Sequence, residues 1–214
     1  MMIKGKFITL EGGEGVGKTT NMSFLKDYLS LHGIPVILTR EPGGTPLAEH
    51  IRTLLLQQSS DEVITDQAEL LLMFAARAQH LKQVIEPALH AGSWVICDRF
   101  TDATYAYQGG GRNMSAQAIQ WLENFVQGNL RPDLTFLFDA PVEIGLKRAR
   151  HRSSLDRIES ETLVFFEQVR RAYLLQAKLE PERIKVIKSD QPLIDVQSEI
   201  TRFLHPFVFN DHHS

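Results

Sequence analysis

Cysteine is nearly missing: the 214 residues contain a single one, Cys97. That excludes an intramolecular disulfide and any zinc cluster of paired cysteines, and the setting Trp94-Val-Ile-Cys97 marks it as a buried strand thiol. Long apolar runs are missing too. None approaches the roughly 18 residues needed to span a bilayer, and the stretch Met1-Met-Ile-Lys-Gly-Lys6 has no long apolar region behind it. A cytoplasmic protein without membrane attachment is expected. Nor is there an excess of one charge. A net charge of −3 argues against coating a nucleic-acid polymer, because that binding depends on many phosphate-neutralising cations. No repeat, low-complexity tract or linker interrupts the chain. With 43% hydrophobic and 23% charged residues, it reads as one folded domain over residues 1–209, followed by a polar tail at 210–214.

What is present is a loop. Gly12-Gly-Glu-Gly-Val-Gly-Lys-Thr19 fills the pattern G-x-x-x-x-G-K-[ST] directly after an apolar run, Phe7 to Leu10, that reads as a strand. Gly12, Gly15 and Gly17 permit a backbone path whose N–H groups converge on one anion, and the positive end of the following helix adds to it. Gly13, Glu14 and Val16 complete the loop. Lys18 is placed to reach β and γ phosphates and Thr19 to bring its hydroxyl to Mg²⁺, so the expected ligand is a nucleoside triphosphate with its metal ion. A Gly-rich turn is the plainer alternative, and it leaves the match at all four fixed positions unexplained.

Short β-branched runs alternate with helical patterns along the rest of the chain, the signature of βαβ units and a parallel sheet. Strands are predicted at Phe7 to Leu10, Val36 to Thr39, Trp94 to Cys97, Leu134 to Asp139 and Ile184 to Ile187. Helices are predicted at Gly17 to His32, Pro46 to Gln58, Asp66 to Ala91, Ser115 to Gly128, Pro141 to Arg152, Glu159 to Glu180 and Leu193 to Leu204. The stretch from Asp66 to Ala91 suits a helix-on-helix interface or a buried core helix equally well.

Ligands of open α/β sheets sit beyond the carboxyl ends of the strands. Arg40 follows the second strand, Asp98 and Arg99 the third. Two arginines there imply a second anion opposite the first, since a guanidinium fork matches phosphate oxygens, although either also suits a sheet-edge ion pair. Asp98 closes an apolar strand as a Walker-B-type aspartate does, and is a candidate Mg²⁺ ligand or a helix N-cap. Arg148, Arg150 and Arg152 cluster at a helix end before Ser153-Ser154. They complement the helix dipole, and their density also fits a lid, about 148–159, closing over transferring phosphates.

Taken together these residues resemble thymidylate kinase, in its bacterial form. The matching segments are Leu10 to Thr20, Thr39 to Thr45, Phe74 to Arg77, Asp98-Arg99, Tyr105 to Arg112, Arg131 to Thr135, Gly145 to Arg150 and Leu155 to Glu159. The resemblance implies an α/β P-loop nucleoside monophosphate kinase fold with a five-stranded parallel sheet. It also implies transfer of the γ-phosphoryl of Mg²⁺-bound ATP to dTMP, a homodimer, and a lid arginine. By that resemblance Glu14 accepts from the deoxyribose 3′-OH, and Arg40 and Arg99 bind the dTMP phosphate. Phe74 lies at the base, Arg77 donates to thymine O4, Thr104 sits near N3, Tyr107 crowds C2′, and Gln108 completes the pocket wall. Met73 stands where many members have phenylalanine, four residues before Arg77, and Ala103 where some have serine. The loop holds no basic residue besides Lys18, so the catalytic arginine is expected in the lid. Arg152 is the first choice, with Arg148 and Arg150 on ATP. Another P-loop nucleotide or nucleoside kinase, or a nucleotide-dependent switch, is the alternative. The chain lacks the guanine-reading N-K-x-D of GTPases, and Glu11 rather than lysine precedes the loop.

Overall fold

The computed structural model describes residues 5–58, 62–150 and 156–209. Five parallel strands, β1 (Phe7–Gly12), β2 (Val36–Arg40), β3 (Trp94–Asp98), β4 (Leu134–Asp139) and β5 (Ile184–Lys188), line up in the order β2-β3-β1-β4-β5. Each predicted strand is present, β1 two residues longer and β2, β3 and β5 one residue longer at the carboxyl end. The direction of chain progression reverses around the central β1, which opens a crevice where strand ends meet loops.

Alternation along the strands builds two core layers. Ile8 and Leu10 of β1, Ile96 of β3, and Phe136 and Phe138 of β4 face helices α1 (Lys18–Leu31) and α9 (Leu193–Phe209), against Leu25, Leu29, Ile200 and Leu204. Phe7, Val95 and Cys97 face the opposite way, onto Leu81, Ile85, Leu89 and Phe100. The Cys97 thiol is buried as expected, and its Sγ–H donates to the Arg99 carbonyl at 3.0 Å.

The remaining helices are α2 (Pro46–Leu56), α3 (Asp66–His80), α4 (Glu86–His90), α5 (Thr101–Thr104), α6 (Ala116–Gln127), α7 (Val142–Arg150) and α8 (Leu163–Leu179). Four departures from the sequence pattern have physical causes. The long helix from Asp66 is divided by a π-helical turn at Leu81–Ile85, just before Pro87, which cannot donate to the preceding turn. A helix over Thr101–Thr104, continued by a π-helical stretch at Tyr105–Gly111, appears where none was predicted. The α8 helix begins at Leu163, not Glu159, because Thr162 caps it by accepting from the Phe165 N–H at 3.2 Å, while Asp156 and Glu159 accept reciprocally from each other's backbone N–H. The α9 helix runs five residues beyond its expected end and through Pro206, held by the buried stripe Val196, Ile200, Leu204 and Val208.

Among the described residues no helix is long and apolar enough to cross a membrane. The polar tail at 210–214 and the middle of the expected lid, 151–155 with Arg152, lie outside the described residues.

Candidate active site

Strand register sets the site's floor. Leu10 pairs with Asp98, and Asp98 with Arg40, so the carboxyl ends of β1, β3 and β2 finish in one row. Above that row the loop after β1, the turn after β3 and the loop after β2 bound a cleft of about 780 Å³. Glu14, Gly15, Val16, Gly17, Lys18, Thr19, Arg40, Asp98, Arg99, Tyr107, Gln108 and Arg148 all line it.

The glycine loop has the geometry its pattern requires. Gly15 has φ +65, and a Cβ there would lie 2.0 Å from the Gly145 carbonyl oxygen on α7, so the loop and α7 touch backbone to backbone. Gly17 at φ +91 turns the chain into α1. Lys18 is buried, and its Nζ donates to the carbonyls of Gly12 at 3.2 Å and Gly13 at 2.7 Å. Burial, then the neighbouring Arg99, lowers the Lys18 pKa. Gly12 and Gly13 therefore serve the cleft through their carbonyls rather than as lining groups.

Across from the loop, Arg99 has a left-handed backbone, φ +66. Its Nη2 donates to Glu14 Oε1 at 2.5 Å and to the Tyr107 hydroxyl oxygen at 3.0 Å, and the Tyr107 O–H donates to the same Glu14 oxygen at 2.8 Å. A carboxylate inside an anion-binding loop thus has a cation to meet. Burial draws the Arg99 pKa down, but Glu14, with Tyr107 and Asp98, outweighs it and holds the guanidinium charged. Arg40, about half exposed, pairs with Glu49 at 2.9 Å.

Arg52 of α2 also lines the cleft, and its Nη1 donates to the Pro42 carbonyl at 3.0 Å. Its pKa is lowered by burial and then by Arg40 and Arg99, so three guanidiniums crowd one end of the cleft. Sequence reasoning missed Arg52. The only signal was its place in α2, three residues after the Arg40 partner Glu49.

Asp98 and Thr19 fit a magnesium site. Asp98 Oδ1 is buried with no hydrogen-bond partner among the described residues, and both residues line the cleft. No group of three or more His, Cys, Asp or Glu able to hold a metal occurs among the described residues. The pair Thr19 and Asp98 suits Mg²⁺, which takes one or two protein oxygens and completes its shell with phosphate and water.

Arg77, Phe74 and Thr104 are not among the residues lining the cleft. Arg77 is 1% exposed; Nε donates to Glu41 Oε2 at 2.7 Å and Nη2 to Thr104 Oγ1 at 3.0 Å, while Nη1 has no partner among the described residues. Phe74 does not face the cleft. Its ring is 2% exposed and lies 4.8 Å from the Arg77 guanidinium, whereas Met73 lines the cleft. Thr104 is fully buried, in contact with Arg77 rather than the cleft. Gln108 Nε2 donates to the buried Glu69 at 2.8 Å, which leaves its Oε1 without a partner among the described residues. The π-helical stretch that carries Tyr107 and Gln108 is pinned on α8, where Cβ atoms at Gly110 and Gly111 would lie 2.6 Å from Ala172 and 2.4 Å from Phe165. Arg148 reaches the cleft and donates to the Ser189 carbonyl at 3.3 Å; Arg150, at the end of α7, is not among the lining residues.

A family model described as thymidylate kinase matches residues 10–200. Thymidylate kinase of Pseudomonas savastanoi pv. phaseolicola is 60% identical over 200 residues, covering 94% of this chain and 95% of the relative. That of Pseudomonas putida (strain W619) is 61% identical over 198 residues, covering 92% and 95%. The crystal structure of thymidylate kinase from Ehrlichia chaffeensis superposes with a TM-score of 0.77 at 34% identity, covering 94% of this chain and 98% of that one.

Proposed function

From the premise that the chain belongs to the thymidylate kinase family, we propose a division of labour within the cleft for the family's reaction, the ATP-dependent phosphorylation of dTMP to dTDP. One observation carries it: an anion-cradling loop and a trio of arginines face each other across a single cleft. The loop N–H groups, Lys18 and the amino end of α1 take the phosphates of ATP, with Arg148 beside them. Arg40, Arg52 and Arg99 take the phosphate of dTMP. An oxygen of that phosphate attacks the γ-phosphorus, the bond to the β–γ bridging oxygen breaks, and ADP departs. The transition state is loose and needs alignment and charge neutralisation more than covalent help. Thr19 and Asp98 would hold Mg²⁺, which would supply positive charge to the transferring phosphates. Lys18 and Arg99 add fixed cations from opposite sides.

The unpartnered atoms of Arg77 and Gln108 match a thymine edge. Arg77 Nη1 offers a donor for O4, and Gln108 Oε1, fixed in direction by Glu69, offers an acceptor for the N3 proton. Cytosine presents the opposite pattern at both positions. Met73, one turn before Arg77 on the same face of α3, packs on the base in place of Phe74. Tyr107 and Glu14 define the sugar subsite.

The same reading includes a homodimer. Helix α6 leaves Trp121 and Phe125 64% and 75% exposed and stacked at 5.4 Å, and α3, packed on α6, leaves Leu71 exposed. A second copy covers this face. Light scattering should report a dimer for the wild type and a monomer for Trp121→Glu/Phe125→Glu; a dimer unmoved by the double substitution places the interface elsewhere.

A coupled ATP-consumption assay with Mg²⁺ tests the reaction, comparing dTMP, dUMP, UMP, dCMP, dGMP and thymidine as acceptors. Turnover should be strongest with dTMP and nearly absent with thymidine, which lacks the phosphate the arginines meet. A preference for dCMP would overturn the Arg77 and Gln108 assignment. Slow hydrolysis indifferent to the acceptor would overturn the kinase reading.

A further inference from the structure

Glu11 touches neither phosphate in the transfer described above, yet it is fully buried at the carboxyl end of β1, one residue before the glycine loop. Its Oε1 accepts from the Phe100 backbone N–H at 2.7 Å and its Oε2 from the Tyr173 hydroxyl at 2.8 Å. The peptide it holds directly follows Arg99, whose φ of +66 is disfavoured for a residue with a long side chain. That conformation is gripped on every polar side. The Arg99 N–H donates to the Leu10 carbonyl at 3.0 Å, its carbonyl accepts from Cys97, and the next N–H goes to Glu11. The Phe100 ring, fully buried edge-on to Phe7 at 4.9 Å, anchors the far end of the turn. A left-handed residue here sends the Arg99 side chain back toward the glycine loop, where it meets Glu14 and Tyr107.

We propose that Glu11 is a positioning residue for the acceptor site: it fixes the Arg99-Phe100 peptide, and Tyr173 of α8 fixes Glu11 in turn. The proposal rests on Arg99 binding the dTMP phosphate. Burial, then the nearby Asp102, pushes the Glu11 pKa up to about 8, so the side chain is largely protonated near neutrality. An amide therefore keeps both contacts: the Gln oxygen accepts from Phe100, and the nitrogen, like the O–H of the protonated carboxyl, donates to the Tyr173 oxygen with that bond's direction reversed.

The test is steady-state kinetics on Glu11→Ala, Glu11→Gln, Tyr173→Phe, Arg99→Ala and the Glu11→Ala/Arg99→Ala double variant, with dTMP and ATP varied separately. Glu11→Ala should raise the KM for dTMP about tenfold and leave that for ATP within about twofold, the pattern of a lost acceptor contact. Glu11→Gln should stay within about twofold of wild type on both. In the Arg99→Ala background Glu11→Ala should add nothing, since Glu11 acts only through Arg99. If Glu11→Ala does not fold, Tyr173→Phe decides, because it keeps the ring and removes one of the two contacts; a rise of about threefold in the KM for dTMP alone is expected. Equal rises for ATP and dTMP, an additive cycle, or no rescue by glutamine would each overturn the proposal. An Arg99→Ala variant with unchanged KM for dTMP would overturn the Arg99 reading itself and this proposal with it.

Discussion

Replacing Lys18 by methionine separates what the site does for the fold from what it does for the reaction. The ammonium is buried and donates to two loop carbonyls, at 3.2 and 2.7 Å. Losing both bonds removes roughly 1–3 kcal/mol in all, taking each at the modest net value of an intramolecular hydrogen bond. Opposing this, methionine fits the same space without the desolvation that depresses the Lys18 pKa and without the repulsion from Arg99. The two effects nearly cancel. The net change should lie within about 2 kcal/mol, or about 8 °C in Tm at most for a chain of this size. Catalysis has no such compensation. A fixed cation at the transferring phosphoryl is worth about 3–4 kcal/mol in the transition state, so kcat should fall at least about 10²- to 10³-fold. Thermal unfolding followed by circular dichroism, alongside the coupled assay with dTMP, measures both quantities on one preparation. A variant keeping more than a tenth of wild-type kcat refutes the donor-phosphate role. One that melts more than about 15 °C lower refutes the balance of burial against hydrogen bonding.

Three further substitutions probe the rest of the site. Glu11 is raised by burial to about 8, so between about pH 4.5 and 8 the folded state binds more protons than the unfolded, and stability falls as pH rises through that window. Urea unfolding from pH 5 to 8 should show wild type losing at least about 1 kcal/mol relative to Glu11→Gln, and parallel curves would refute the shift. Arg52→Ala should raise the KM for dTMP about five- to tenfold with the KM for ATP unmoved, because Arg52 stands beside Arg40 and Arg99, the arginines proposed to take the acceptor phosphate; a change confined to ATP would move it to the donor side. For Gly15→Ala, the Cβ at 2.0 Å from the Gly145 carbonyl and the positive φ force the loop away from α7. A loss of about 2 kcal/mol in stability and a rise in the KM for ATP should follow, and a neutral outcome would show the loop to be less tightly seated.

The loop side of the cleft was legible because it is local: strand, loop and helix start are contiguous, and each glycine's place in the turn follows from the pattern. The arginine side was legible only where residues sit at strand ends, as Arg40 and Arg99 do. Arg52 lies mid-helix, and its one local signal, Glu49 three residues before it, does not by itself show that α2 turns it toward the cleft. The helix from Thr101 was illegible for a different reason. Tyr105-Ala-Tyr-Gln-Gly-Gly-Gly111 has three consecutive glycines, which locally disfavour a helix, and the close approach of α8 to Gly110 and Gly111 overrides that preference.

The base-facing position shows how finely spacing must be read. Met73 and Phe74 are adjacent in sequence, but each helical residue turns the side chain by about 100°. Counted along α3 from Arg77, Met73 four residues back lies about 40° to one side and Phe74 three residues back about 60° to the other, so the two side chains meet different neighbours. Aromatic character drew attention to Phe74; the cleft is lined by Met73, and the Phe74 ring instead lies 4.8 Å from the buried Arg77 guanidinium. A flexible thioether in that place widens what the wall can accept while the donor and acceptor pattern of Arg77 and Gln108 stays fixed. If Arg77 and Gln108 read the base as proposed, discrimination between thymine and cytosine rests on that polar pair, and truncating Met73 to alanine should weaken dTMP and dUMP alike without changing their ratio to dCMP.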